Sequence, residues 1–155
     1  MRMSLKIESL WILTNLSLVD GFNQRLFRDH NIQELLQGLI LEHFVDGQSA
    51  NPNKESRLAE SELVLLENML WLTGNLAVDV GYELQSGRLA EQLFDIACNH
   101  SAQLRLSHWQ RIVWNLRMLS ATLRHFEDKD VSAYVNFLIQ FGGVICEIMT
   151  RKQLN

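Results

Sequence analysis

The sequence predicts an all-α fold of stacked helices, and three observations predict it. The chain holds a single proline, Pro52, in its most polar stretch, so the runs on either side can be helical without a break. Leu outnumbers Val and Ile, which favours helix over strand. Three tryptophans recur in near-identical settings: SLWILTNLSLVDG around Trp11, MLWLTGNLAVDVG around Trp71 and IVWNLRMLSATL around Trp114.

Trp114 follows Trp71 by 43 residues, within the period of roughly 40–47 residues found in armadillo and HEAT repeats. Trp71 follows Trp11 by 60 residues, which becomes such a period if a polar segment of about 46–57 is an insertion loop. Aligning the three tryptophans gives columns with physical sense. One residue before stand Leu10, Leu70 and Val113; two after stand Leu13, Thr73 and Leu116. Five after stand Leu16, Leu76 and Leu119, and six after Ser17, Ala77 and Ser120. These offsets share one helix face, mostly apolar and ending in a small residue that permits close helix approach. The tryptophans lie on its edge. Trp109 falls in another column and reads as core filler.

The first helix carries Trp11 and ends before Gly21, which permits a break. A short helix follows over Phe22 to Arg28, then an amphipathic one over Asn31 to Val45, marked by Ile32, Leu35, Leu36, Leu39, Ile40 and Phe44. After the Trp71 helix, Gly81 permits a second break. Tyr82 to Gly87 forms the next short element, and Leu89, Leu93, Phe94, Ile96 and Ala97 mark the helix after it. Ser101 to Ser107 connects to a third helix reaching His125, and Val131 to about Thr150 closes the last unit. The prediction is therefore one domain over residues 1–155, an armadillo-type α-solenoid of about two and a half repeats plus a C-terminal closing helix. A repeat array this short needs a partner, with Met3, Ile7 and Leu10 expected on the open side of the first helix.

Net charge is −4, which argues against nucleic acid as a partner because phosphate binding needs clustered cations. Cys98 and Cys146 are isolated and fit a reducing, intracellular compartment, cytoplasm or nucleus. No secretory signal is expected, and no stretch reads as the ~18 apolar residues of a membrane span. The histidines are scattered, no zinc spacing occurs, and no phosphate-binding or nucleophile motif is present. Neither an enzyme nor a metal or other cofactor is expected. Gly142 and Gly143 read as a close-packing or kink site.

The run Trp71-Leu-Thr-Gly-Asn75-Leu-Ala-Val-Asp79 and the run Trp11-Ile-Leu-Thr-Asn15 resemble the third-helix motif of the importin-α family, in its third and second repeats respectively. Trp114 would occupy the fourth. The likeness covers about Glu8 to His125 and implies an armadillo adaptor that recognises an extended basic segment. The implied peptide-binding residues are Trp11, Asn15, Trp71, Asn75, Asp79 and Trp114. The chemistry suits that role. Residues at i and i+4 share a face. An indole offers a wall and a cation–π partner to a lysine or arginine. An Asn amide can grip a peptide unit, and an Asp one turn on can pair with a cation. Helices ~8–10 Å apart would each meet about three residues of an extended chain rising ~3.3 Å per residue. Glu8 and Glu67, one turn before their tryptophans, add acidity. Met118 stands where a third Asn would be, and Arg111 and Arg117 flank Trp114, where they would repel a basic ligand. Two functions follow: a protein- or peptide-binding scaffold of adaptor type, or a structural subunit of a large assembly that has lost peptide binding.

Overall fold

The computed structural model describes residues 1–45, 57–86 and 88–121, together with 136, 139, 140, 142, 143, 146 and 150; for 82–86 it describes the backbone. Among the described residues all regular structure is helical. The elements are α1 (Met3–Leu16), α2 (Phe22–His30), α3 (Ile32–Ile40) continued by a π-helical turn (Leu41–Val45), α4 (Glu60–Ser86), α5 (Leu89–Asn99), a 3₁₀ turn (Ser101–Gln103) and α6 (Leu106–Ala121). The expected insertion loop at about 46–57 lies outside the described residues except for Arg57. The expected closing helix over 131–150 lies largely outside them, although Asn136, Ile139, Gln140, Gly142, Gly143, Cys146 and Thr150 are each helical.

Residues that accept left-handed backbone separate the early helices. Gly21, at φ 73°, turns the chain into α2, and Asn31, at φ 46°, ends α2 and begins α3. The Asn31 amide also donates to the Glu34 carboxylate in the first turn of α3. At the start of α4 the Ala59 amide donates to Glu62 Oε2 at 2.7 Å, half of a capping box. The break expected at Gly81 falls one residue earlier: α4 bends at Val80 (φ −127°, ψ 30°) and runs on through the predicted short element to Ser86.

The centre of the molecule is α4. It packs against α1 on one side and α6 on the other, and also meets α2 and α5, while α3 packs on α5. The helices carrying Trp11, Trp71 and Trp114 are thus sequential neighbours. Leu65, Leu66, Met69, Leu70, Leu72 and Leu76 of α4 are completely buried. That burial bears on the expectation that no stretch is apolar enough to span a membrane. Glu60–Gly81 is long and apolar enough for a membrane span, with 67% of its most apolar window buried inside this fold.

Polar groups fix the joins between helices. Lys6 on α1 is buried; its ammonium donates to Glu42 and to His43 Nε2 at 2.8 Å in the π-helical turn. The lysine hydrogen bond holds the Glu42 carboxyl below its ordinary pKa. The Gln103 side chain bonds both the amide (2.9 Å) and the carbonyl (3.0 Å) of Leu58. His108 is buried, accepting from the Arg105 amide at Nδ1 (3.1 Å) and bonding the Leu63 carbonyl through Nε2 at 2.8 Å. Those two bonds fit one neutral tautomer, with the proton on Nε2.

The open side of α1 differs from expectation. Leu10 is buried, and Met3 and Ile7 pack partly against the core. The exposed apolar residues on this helix are Leu5, Trp11, Ile12 and Leu16. The helix is apolar nearly all round, although only the face toward α4 and the π-helical turn is covered.

Candidate protein-binding site

The predicted ladder residues meet three different fates. On α1, Trp11 is half exposed and Asn15 exposed, and the Asn15 amide donates at 2.8 Å to the Trp11 carbonyl within its own helix. On α4, Asn75 is only 5% exposed. Its Nδ2 donates to Ser17 Oγ (2.9 Å), at the C-terminal cap of α1, and lies within reach of the Thr14 carbonyl of α1 (3.3 Å). Its Oδ1 accepts from the indole N–H of Trp114 on α6 at 3.1 Å. One amide therefore fastens three helices, and the groups that would grip a peptide are engaged inside the chain.

Trp71 is half buried, and a cation already lies on its ring. The Arg111 guanidinium stands 3.7 Å from the ring centroid, the geometry of a cation–π contact. The sequence suggested that Arg111 would repel a basic ligand; its position beside Trp71 makes it the occupant of the indole wall. Asp79 is exposed but engaged: Oδ2 accepts from Asn23 Nδ2 at 2.7 Å. Asn23 is itself buried on α2 and also bonds the Ser17 carbonyl at 3.0 Å.

Trp114 comes close because Gly74 lacks a side chain. A Cβ built at Gly74 would stand 2.4 Å from Trp114 Cδ1. The structure thus joins Trp114 to Asn75, and Asp79 to the α2 residue Asn23, while Trp11 and Asn15 stay on the surface of α1. Ser17, Asn23, Gly74 and Arg111 were missed as members of this network. A signal existed for two of them: Gly74 directly precedes the Asn, and Arg111 sits one turn before its own Trp.

No family model, curated protein or solved structure matches the chain. The local chemistry therefore has to carry the functional reading. Among the described residues no group of three or more His, Cys, Asp or Glu forms a possible metal site. Cys98 and Cys146 are free thiols. Burial, with a smaller effect from Asp95, pushes the Cys98 thiol above its ordinary pKa, which disfavours the thiolate.

Proposed function

We propose that this chain is a non-enzymatic, armadillo-type protein-binding scaffold that serves as a structural subunit of a larger assembly. The succession of a short helix, a second helix and a long third helix occurs as α2, α3 and α4, then as the end of α4, α5 and α6, and it supports the armadillo reading. The adjacency of the three tryptophan helices supports it as well. An intracellular setting, cytoplasm or nucleus, belongs to this proposal and fits the free thiols.

The observation that carries the choice of subunit over adaptor is Arg111 on the face of Trp71. A peptide lysine would have to displace an in-chain guanidinium before it met the indole. The engaged amide of Asn75 points the same way. Calorimetric titration of a lysine-rich peptide tests this. The subunit reading expects no saturable heat. Saturable binding weakened by Trp71→Ala and by Asp79→Asn would overturn it in favour of an importin-α-like adaptor. That second reading has one observation of its own, the exposed pair Trp11 and Asn15.

A further inference from the structure

We propose that the chain stacks head to tail on a second copy of itself, the outward face of α1 in one copy seating on the outward face of α6 in the next. The inference rests on the scaffold reading, in that it treats α1, α4 and α6 as equivalent helices in register on Trp11, Trp71 and Trp114.

Three equivalent columns decide which face is unfinished. Six residues before, one after and five after each tryptophan, α4 carries Leu65, Leu72 and Leu76 and α6 carries His108, Asn115 and Leu119, all buried. In α1 the same columns hold Leu5, Ile12 and Leu16, which are 53%, 52% and 41% exposed. The α6 residues show what this face does. His108 Nε2 bonds the Leu63 carbonyl at 2.8 Å, and Asn115 Nδ2 donates to the Leu70 carbonyl at 2.6 Å. The face therefore seats on the preceding helix around positions eight and one before its tryptophan. On α1 the apolar pattern is present, and among the described residues no helix covers it.

A matching seat exists at the other end of the row. In α6 the positions equivalent to Leu63 and Leu70 are Leu106 and Val113, apolar and 68% and 48% exposed.

The polar groups match too. At the α1–α4 join, Asn75 donates to Ser17 Oγ, and Ser17 Oγ donates to the Thr14 carbonyl at 2.5 Å. At the α4–α6 join the equivalent positions are the apolar Met118 and Ala77. Across the proposed join they are Asn15 and Ser120, polar again, and both are exposed. Ser120 Oγ already donates to the Arg117 carbonyl at 2.8 Å, repeating the Ser17–Thr14 arrangement. Exposed charges oppose each other as well: Glu8 of α1 stands in the column of Arg111, the residue that reaches back to the preceding helix, and the α6 face offers Arg117. Such a contact is heterologous, so each copy gives one face and receives on the other.

Sedimentation of the purified full chain across micromolar concentrations, with Ile12→Glu and Val113→Glu, tests the proposal. Both positions are exposed, so circular dichroism should show an unchanged fold. The mean mass of the unaltered chain should rise with concentration. Each variant should associate roughly tenfold or more weakly, because each buries an unpaired carboxylate. An equimolar mixture of the two variants should form dimers and nothing larger, since the Ile12→Glu copy keeps its α6 face and the Val113→Glu copy its α1 face. A folded chain that stays monomeric overturns the proposal while leaving the peptide titration to judge the scaffold. A mixture that fails to dimerise overturns it also, as does association abolished by Ile12→Glu and untouched by Val113→Glu, the mark of a symmetric α1 contact.

Discussion

Gly74 lies in the middle of α4, where a substitution by Ala removes backbone freedom and adds a better helix former. At an exposed helical site that exchange would stabilise by about 1 kcal/mol. Here the new methyl would stand 2.4 Å from Trp114 Cδ1, 3.0 Å from Trp114 Nε1 and 3.1 Å from Asn115 Nδ2. The indole is rigid, so it must move as a body. Overpacking of this kind costs about 1–3 kcal/mol. Displacing Trp114 also breaks its bond to Asn75 Oδ1, a net loss of about 1 kcal/mol. Set against the helix gain, Gly74→Ala should destabilise the chain by about 1–3 kcal/mol. Urea unfolding followed by circular dichroism measures this, and a double-mutant cycle with Trp114→Ala isolates the cause. With the indole gone, Gly74→Ala should reverse sign and stabilise by up to about 1 kcal/mol. If Gly74→Ala stabilises the chain with Trp114 in place, the packing argument for this glycine is wrong.

Three further outcomes follow from the same contacts. Arg111→Ala should lower stability by about 0.5–1 kcal/mol and change the Trp71 fluorescence, because it lifts the cation from the ring; urea unfolding and emission spectra check both. Asn75→Ala should cost roughly 1–3 kcal/mol by leaving the Trp114 N–H without its acceptor, whereas Asn15→Ala, whose amide bonds only its own helix, should stay within about 0.5 kcal/mol in the same assay. The Lys6 hydrogen bond lowers the Glu42 carboxyl in the folded chain, so its contribution is present above the ordinary carboxylate pKa and is lost as pH falls through the lowered one. Glu42→Gln should therefore flatten part of the acid-side decline in urea midpoints, and an unchanged decline would remove Glu42 as a contributor.

Helix positions were readable because their causes are local. Periodic apolar patterns mark α3 and α5, Gly21 and Asn31 accept the backbone that ends one helix and starts the next, and the one proline lies outside the described helices. The bend at Val80 was misplaced by one residue because glycine permits a break without dictating which peptide unit turns. No stretch was expected to have membrane-span length, whereas Glu60–Gly81 meets that length and composition, with most of its apolar window buried against its neighbours in this fold. The site was readable in type and not in direction. Periodicity places Trp71 and Asn75 on neighbouring lines of one helix. Whether the amide turns outward or inward depends on Ser17 and Trp114, which come from helices 58 and 39 residues away.

The same Trp-x-x-x-Asn spacing consequently has two different lives in this chain, and position in the row decides between them. In α4 it has a helix on either side. Its Asn becomes the fastener between α1 and α6, and its Trp receives Arg111 from the helix that follows. In α1 the side carrying Trp11 and Asn15 is uncovered among the described residues, so both stay at the surface although their residue types and spacing are identical. The third helix departs from the pattern with Met118 in place of Asn, and the residue six past the tryptophan in the preceding helix is Ala77 rather than Ser. Amide is matched with hydroxyl, and thioether with methyl. In α4 the Asn holds the neighbouring helices together. The exposure of Trp11 and Asn15 thus follows from what packs beside α1 among the described residues rather than from any special chemistry of the first motif.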